Sequence, residues 1–395
     1  MFIMLIAGFA LLTIFYLVLL WWMSLGLHHL KNSFIMQSDT LPTVSLIVCA
    51  KNEEHRLPQL LSALVQQKYP ADKLEVCFVD DRSSDRTGEI IEEFAALRSN
   101  VIHLRLEDTA PGFAPKKRAI AMAIRHTTGE IILLTDADST PGPRWVQEMV
   151  AAFAPNVVMV CGYSPYAPRD SLWQKILALE YFSHAAIAAG GIGTGRPLTC
   201  TGSNMAYRRE AYLRIGGFDG IAHWISGDDD LLLRKIHGAG IGKISYAAHP
   251  SAHAPVRPPR SWREFKSQRT RYASKSLHYE PSFTLALALV YLLNLLICAG
   301  LLSAIVGWWK FFVLALTIAI LKAAGEYLYL RRTAKLFDED QLLPVFPLAA
   351  LLHPFYVVLF ATLGQFAKFS WRGEQFTATK RSSTTACPPL EETRR

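Results

Sequence analysis

Long stretches without any charged side chain occupy both ends of this 395-residue sequence. Residues 1–30 contain no Asp, Glu, Lys or Arg, and residues 281–309 and 341–367 are likewise uncharged. A helix needs about 20 apolar residues to cross a bilayer. Across the chain 51% of the residues are hydrophobic and only 19% are charged. The composition therefore excludes a disordered chain and argues against a purely soluble protein.

The first apolar segment, residues 1–30, is predicted to be a transmembrane helix rather than a signal peptide. It lacks the positively charged start and the short apolar core that a signal peptide requires. Its end carries aromatic and basic side chains typical of the cytoplasmic edge of a membrane helix, namely Trp21, Trp22, His28, His29 and Lys31. We therefore expect an integral protein of the cell membrane with its N-terminus outside and the next domain cytoplasmic.

Residues 281–367 are predicted to form a C-terminal transmembrane block of about three segments. Lys322 and Glu326 interrupt the middle segment, and their spacing allows them to pair on one helix face. A position near the membrane edge would explain them equally well. Full crossings throughout would place the polar tail, residues 368–395, outside the cell, against the positive-inside tendency. A re-entrant segment, or one split around its prolines, would remove this conflict, and the number of crossings stays open.

Between these blocks, residues 38–260 alternate predicted strands with predicted helices. Apolar runs typical of buried strands lie at 43–50, 74–79, 101–106 and 130–134. Helical periodicity follows them at 56–67, 85–97, 115–126 and 143–153. This alternation predicts an α/β domain with a parallel sheet. The six cysteines include no CxxC pair, so neither a disulfide scaffold nor a zinc site is expected.

Acidic residues follow several of these strands, at the edge where ligands of such sheets bind. Asp136 and Asp138 could share a divalent cation with substrate phosphates, although a solvated turn explains them as well. Asp80 and Asp81 end the neighbouring strand, and crowded carboxylates favour a cation. Residues 80–85 could hold a nucleotide, cap the next helix, or do both.

Positive charge begins the predicted helix 115–126, where it opposes the helix dipole unless an anion is near. We therefore favour phosphate binding by the cluster Lys116–Arg118 over a solvated basic cluster. Three consecutive acids, Asp228, Asp229 and Asp230, begin a later helix. Capping alone would account for acids there, whereas a carboxylate at that position could also act as a general base.

Residues 261–280 are predicted to form an amphipathic interfacial helix that anionic lipid headgroups hold. Gln268, Arg271 and Tyr272 could face an active site from the opposite side of this helix. Much of the net charge of +8 lies beside the membrane segments. Lipid phosphates explain that charge, so we expect no nucleic-acid partner.

Taken in order, these motifs resemble those of the membrane-bound family-two inverting glycosyltransferases, which include cellulose, chitin and hyaluronan synthases. The matching segments are 50–53 (AKNE), 79–83 (VDDRS), 136–138 (DAD), 227–229 (GDD) and 268–272 (QRTRY). Arg82 stands where the family usually has glycine, and Tyr272 stands where it has tryptophan. The resemblance implies a GT-A domain inserted between an N-terminal transmembrane helix and a C-terminal membrane block.

The resemblance also implies a nucleoside-diphosphate sugar donor, Mg²⁺ or Mn²⁺, and a role for each matched residue. Asp229 would be the catalytic base, and Asp136 and Asp138 would bind the metal. The implied donor-binding residues are Asn52, Glu53, Asp80, Asp81, Lys116, Asp136, Gln268 and Arg271, and the acceptor-side residues are Asp228 and Tyr272.

The expected reaction moves a sugar, preferably from a UDP-sugar, to a hydroxyl of a lipid or lipid-linked glycan acceptor. Tyr272 offers a smaller stacking face than tryptophan, which favours a single transfer over a processive polysaccharide synthase, the second hypothesis. A transporter would carry more ionisable residues in its membrane helices. A silent nucleotide-sugar-binding scaffold would have lost a metal or base carboxylate, yet Asp136, Asp138 and Asp229 are all present.

Overall fold

The computed structural model describes residues 2–31, 41–110, 112–274, 279–366, 368–371 and 374–377. The chain divides into two compact units. One, the helical unit, comprises the described residues of Met1–Phe34, Tyr163–Thr199 and Ser245–Ala378. The other, the sheet unit, comprises those of Ile35–Gly162 and Cys200–Ile244.

The sheet contains β1 (Val44–Ala50), β2 (Leu74–Asp81), β3 (Val101–Leu106), β4 (Ile131–Asp136), β5 (Val157–Gly162), β6 (Asn204–Arg208) and β7 (Lys243–Ala247). Their order is β3-β2-β1-β4-β6-β5-β7. All seven residues of β1 are buried, as a strand covered on both faces requires. The four apolar runs that the sequence predicted to be strands correspond to β1, β2, β3 and β4.

The sheet is mixed, because it contains strands beyond the four that the sequence predicted to be parallel. Strands β1 to β4 pair in parallel, but β6 pairs antiparallel with both β4 and β5. A long connection that contains a helix of 22 residues separates β5 from β6. The four strands predicted from the sequence therefore pair in parallel as expected, and the antiparallel strand β6 is one that the sequence did not predict.

The helices of the sheet unit are α2 (Leu57–Val65), α3 (Thr87–Ala96), α4 (Pro115–His126), α5 (Trp145–Ala151), α7 (Arg209–Arg214) and α8 (Asp230–Gly238). Helix α4 packs on β1 and β2, and α3 packs on β3. Trp145 of α5 is fully buried, and its indole Nε1 donates to Asn204 Oδ1 of β6 at 3.0 Å. The parallel strands are thus covered by the helices that connect them.

The carboxyl ends of the central parallel strands meet at one edge of the sheet. Ala50 at the end of β1 is in register with Asp80, and Cys49 is in register with Asp136. The acidic residues that follow separate strands in the sequence therefore lie at the same edge, as expected. This edge carries the candidate site.

The helical unit contains α1 (Phe2–Lys31), α6 (Leu172–Gly193), α9 (Trp262–Ala273), α10 (Pro281–Leu302), α11 (Trp309–Phe337) and α12 (Phe346–Phe366). The short strands β8 (Lys368–Trp371) and β9 (Glu374–Thr377) pair antiparallel. Within the described residues, five helical segments are long and apolar enough to cross a membrane: Ile3–Leu30, Leu172–Gly193, Pro281–Val306, Trp309–Phe337 and Asp340–Phe366. Residues 275–278 of the predicted interfacial helix and most of the predicted tail lie outside the described residues.

Helix α6 was not singled out as an apolar segment in the sequence. Lys175 and Glu180 interrupt it, and it is the least apolar of the five segments. It packs against α1 through glycines, since a Cβ added at Gly26 would lie 2.1 Å from the carbonyl oxygen of Gly190. This helix lies inside the predicted 38–260 domain, whose boundaries stay a prediction.

A buried polar cluster joins three helices of the helical unit. Lys322 and Glu326 of α11 form a hydrogen bond of 2.7 Å, which confirms that they pair on one helix face. Tyr16 of α1 donates to Glu326 at 2.6 Å, and His353 Nδ1 of α12 lies 3.2 Å from the same carboxylate. The pair is buried among helices, and its depth in a membrane stays open.

Candidate active site

Two loops that follow β1 and β2 interlock at the carboxyl edge of the sheet. Asn52 Oδ1 accepts from the backbone nitrogen of Ser84 at 2.8 Å, and the backbone nitrogen of Asn52 donates to Ser83 Oγ at 3.0 Å. The backbone nitrogen of Glu53 donates to Thr87 Oγ1 at 2.8 Å. The structure therefore brings Asn52 and Glu53 together with the segment that follows Asp80 and Asp81.

Arg82 explains why glycine is usual at its position in the resembling motif. Its φ of 57° lies in the left-handed region, which is unfavourable for residues other than glycine, asparagine and aspartate. Asn52 has a similar φ of 55°, which asparagine tolerates. The Arg82 guanidinium Nε lies 2.9 Å from Asp81 Oδ1, so the side chain folds back on the strand end.

Asp80 is buried and engaged by its own loop. Its Oδ1 accepts from the backbone nitrogen of Ser83 at 3.0 Å, and its Oδ2 lies 3.9 Å from Arg105 Nε. A Cβ added at Gly88 would lie 2.9 Å from that Oδ2, so the start of α3 sits tightly against the carboxylate. Asp80 therefore shapes the loop, and its contact with a donor stays a prediction.

Lys116 joins two motifs that are more than 90 residues apart in the sequence. Its ammonium lies 2.9 Å from Asp136 Oδ1 at the end of β4 and 3.0 Å from Asp228 Oδ2 before α8. Only 18% of the Lys116 side chain and 10% of the Asp228 side chain are exposed. Burial acts to lower the pKa of Lys116, but the carboxylates of Asp136 and Asp228 outweigh it and raise that pKa above its ordinary value.

Asp229, the predicted base, lies beside this group at the N-cap of α8. Its Oδ1 accepts from the backbone nitrogen of Asp230 at 2.7 Å, so the residue predicted to be the base also caps α8. A Cβ added at Gly202 would lie 3.0 Å from Asp228 Oδ2 and 3.5 Å from Asp229 Oδ2. The backbone at Gly202 therefore approaches both carboxylates as closely as a glycine permits.

The three side chains of the basic cluster Lys116–Arg118 have different partners, which the sequence did not indicate. Lys117 is buried, and its ammonium donates to the carbonyl oxygens of Ile221, Trp224 and Ser226 at 2.7, 2.7 and 3.0 Å. Arg118 pairs with Asp108 at 2.6 Å. Lys116 therefore contacts the acidic residues of the site, whereas Lys117 fixes the loop that leads to Asp228.

The motif at 268–272 lies on α9 in the helical unit. Gln268 Oε1 accepts from Tyr166 Oη at 3.1 Å and from Arg269 at 2.9 Å. Arg269 is buried and forms an ion pair with Glu180 of α6, and the Arg271 guanidinium lies 5.1 Å from the centre of the Tyr272 ring. The donor-side roles of Gln268 and Arg271 and the acceptor-side role of Tyr272 stay predictions.

The donor set at the end of β4 fits a hard divalent cation. Asp136 and the half-buried Asp138 offer carboxylate oxygens, which Mg²⁺ and Mn²⁺ prefer, and such sites are commonly completed by substrate phosphates. Asp228 Oδ2 is buried and accepts no hydrogen bond, although Lys116 lies at ion-pair distance. Among the described residues no group of three or more His, Cys, Asp or Glu side chains is gathered for a metal.

Comparisons with known protein families place this site in context. The model of "Glycosyl transferase family 2" matches residues 45–216, and that of "Glycosyl transferase family group 2" matches residues 131–362, more than half of the chain. The chain belongs to glycosyl transferase family group 2. The resemblance found in the sequence motifs is therefore confirmed at the level of the family.

Curated relatives match somewhat more than half of this family-2 chain. Probable glycosyltransferase YdaM of Bacillus subtilis is 30% identical over 239 residues, which cover 59% of this chain and 55% of the relative. Beta-monoglucosyldiacylglycerol synthase of Trichormus variabilis is 31% identical over 224 residues, which cover 53% and 46%. The chain thus spans about half the length of the curated relatives it matches.

A solved structure resembles the family-2 chain over most of its length. Mannosyltransferase PcManGT of Pyrobaculum calidifontis, solved in complex with GDP-Man and Mn²⁺, has a TM-score of 0.53 and 22% sequence identity. The match covers 88% of this chain and 99% of that one. The predicted GT-A fold, flanked by N-terminal and C-terminal apolar helices, is confirmed.

Proposed function

We propose that the protein transfers a sugar from a nucleoside-diphosphate sugar to a hydroxyl of a lipid or lipid-linked acceptor, with inversion at the anomeric carbon. The observation that carries this proposal is the junction of Asp136, Lys116 and Asp228 at the carboxyl edge of the sheet, with Asp229 adjacent. A donor diphosphate needs positive charge, and an acceptor hydroxyl needs a base. This junction offers both within one unit of a family-2 chain.

The residues of this junction divide into two tasks. Asp136 and Asp138 would hold a divalent cation, whose charge neutralises the leaving diphosphate. Lys116 would donate to the same phosphates, and Asn52, Glu53, Asp80 and Asp81 would bind the nucleoside.

Asp229 would accept the proton of the acceptor hydroxyl. Its half-buried carboxylate cannot move far, because the same side chain caps α8 and Gly202 packs against it. Asp228 would keep the loop in place through Lys116.

Two observations support a lipid acceptor and embedding in a membrane. Within the described residues, five helical segments are long and apolar enough to cross a bilayer. A curated relative with 31% identity is named for the synthesis of a glucosylated diacylglycerol. A lipid substrate would reach the enzyme from the bilayer, so a catalytic domain on the cytoplasmic side of the membrane fits this acceptor.

The decisive experiment is a nucleotide-release assay on detergent-purified protein. UDP-, GDP- and dTDP-sugars would be supplied with Mn²⁺, the ion bound to the mannosyltransferase of similar fold. Extracted membrane lipids would be added or withheld. We expect release that needs one donor, the metal and the lipid fraction. Release without lipid together with a growing polymer would instead indicate a processive synthase.

The base assignment is tested separately by Asp229→Asn. We expect turnover to fall by at least about a hundredfold, because general base catalysis contributes about 10²–10⁴-fold. Donor binding, measured by calorimetry, should stay within a factor of about three, since the substitution leaves Asp136 and Lys116 in place. Turnover that survives with unchanged donor binding would contradict the role of Asp229.

A further inference from the structure

Lys116 occupies the place of a counter-ion between two carboxylates from different motifs. Its ammonium is 2.9 Å from Asp136 Oδ1 and 3.0 Å from Asp228 Oδ2. The lysine is the second residue of α4, and Pro115 before it fixes the start of that helix. The backbone that carries this ammonium is therefore the first turn of a helix rather than a loop.

This arrangement places a positive charge beside the carboxylate of Asp136, which would also bind a metal. Lysine is protonated at physiological pH, and the two carboxylates at 2.9 and 3.0 Å stabilise its charge. Loss of a proton therefore cannot remove the charge. A divalent cation that approached Asp136 would be repelled by the ammonium unless the lysine side chain moved away.

A donor diphosphate offers the lysine an alternative partner. Lysine is a flexible point charge on a chain of four carbons, so its ammonium can change partners without movement of the helix. Phosphate oxygens at a helix N-terminus are also favourable partners for the helix itself. The lysine can therefore leave the two carboxylates without losing its ion pairs, provided that the phosphate oxygens take their place.

We propose that Lys116 serves as the internal counter-ion of Asp136 and Asp228 when no donor is bound, and that its transfer to the donor diphosphate frees these carboxylates. This inference rests on the proposed function. It predicts that divalent metal and nucleotide bind cooperatively, because each favours the same position of the lysine. It also predicts that Asp228, beside the proposed base, changes its partner only when the donor arrives.

The test is a Mn²⁺ titration of the detergent-purified full chain, followed by the electron paramagnetic resonance signal of free Mn²⁺. Titrations are run with and without UDP or GDP, and protein-free blanks correct for metal bound by the nucleotide. For the unaltered chain we expect nucleotide to tighten Mn²⁺ binding by about tenfold or more. Lys116→Met should tighten Mn²⁺ binding without nucleotide by about tenfold and reduce the further effect of nucleotide, because phosphate oxygens still bind the metal but no longer have to displace the lysine.

Three variants make the result specific. Arg118→Met removes a positive charge from the same helix without touching Asp136, and it should bind Mn²⁺ like the unaltered chain. Lys116→Arg retains the cation and should retain weak binding without nucleotide. Lys116→Gln replaces Lys116→Met if the methionine variant melts at a lower temperature than the unaltered chain. The same tightening of Mn²⁺ binding without nucleotide is expected.

The outcomes separate this inference from the proposed function. Mn²⁺ binding that weakens or stays unchanged in both Lys116→Met and Lys116→Gln, while Asp138→Asn abolishes it, would refute the counter-ion role and leave the metal site intact. Mn²⁺ binding that survives in Asp138→Asn would overturn the metal assignment, and the inference with it. Tightening in Lys116→Met and Lys116→Gln, but not in Arg118→Met, supports the exchange.

Discussion

Replacement of Lys117 by methionine tests whether a buried ammonium holds the loop that leads to the proposed base. Methionine keeps the unbranched shape of the side chain but donates no hydrogen bond. The three carbonyl oxygens that now accept from Lys117 belong to Ile221, Trp224 and Ser226. The change removes all three bonds and leaves the packing of α4 largely intact.

The expected effect follows from these three bonds. A hydrogen bond contributes about 1 kcal/mol net, so the loop should lose about 3 kcal/mol of local stability. Since 1.4 kcal/mol corresponds to a factor of ten, the opening equilibrium of residues 216–229 should rise by about a hundredfold. Amide hydrogen exchange followed by mass spectrometry measures this opening directly. Turnover should fall as well, because the loop positions Asp228 and Asp229.

Lys235 of α8 provides a matched control, because its ammonium contacts the same loop. Its ammonium donates to the carbonyl oxygens of Gly217 and Asp219 at 2.9 and 2.7 Å, but the side chain is only half-buried, so water can replace it. Lys235→Met should therefore destabilise the loop by about 1 kcal/mol, which is about fivefold in opening. Equal exchange in the two variants, or exchange in Lys117→Met like that of the unaltered chain, would refute the assignment of Lys117.

Three further predictions concern other parts of the chain. Gly202→Ala should lower turnover at least about tenfold with little loss of stability, because its Cβ would press on Asp228 Oδ2, and steady-state kinetics measures this. Gly26→Ala should destabilise the helical unit by about 2 kcal/mol, seen as a lower melting temperature, since its Cβ would overlap the carbonyl oxygen of Gly190. Burial lowers the pKa of His253 from 6.5 to about 4, so its neutral form contributes stability that is complete above pH 6.5 and is lost as the pH falls towards 4. The loss approaches about 3 kcal/mol, and His253→Phe should make the melting temperature less sensitive to pH in that window.

Each of these predictions has a control residue in the chain. Gly142 and Gly8 have open space where a Cβ would be added, so alanine at either position should change neither turnover nor melting temperature. His237 is exposed on α8, so His237→Gln should leave the acid sensitivity of the chain unchanged. A control that changed as much as its test variant would show that the effect is not specific to the contact named.

Local patterns predicted the fold where the chain's own periodicity determines it. The predicted helix 115–126 coincides with α4, because proline fixes its start and apolar residues recur on the buried face. The predicted strand 101–106 coincides with β3. The direction of β6 was not predictable in this way, because strand direction depends on a connection of more than 40 residues rather than on local sequence.

Helix α6 and its charged residues show the same limit. In the sequence, Glu180 interrupts an apolar segment. In the structure its carboxylate forms an ion pair with Arg269 of α9 and accepts a hydrogen bond from Tyr356 of α12 at 2.5 Å. A buried charge is tolerated only with partners, and these lie 89 and 176 residues away. The sequence contains the residues of such a network but not the contacts that make their burial favourable.

The two adjacent lysines show why a motif cannot by itself assign roles. Consecutive side chains on a helix point about 100° apart, so neighbouring residues face different surroundings. Lys116 contacts Asp136 and Asp228, whereas Lys117 donates to backbone carbonyls of the loop before Asp228. Both lysines therefore act on the same acidic loop, one through its carboxylate and the other through its backbone. Substitution of either should impair turnover, but only Lys116 should change metal binding, and only Lys117 should change hydrogen exchange of the loop by about a hundredfold.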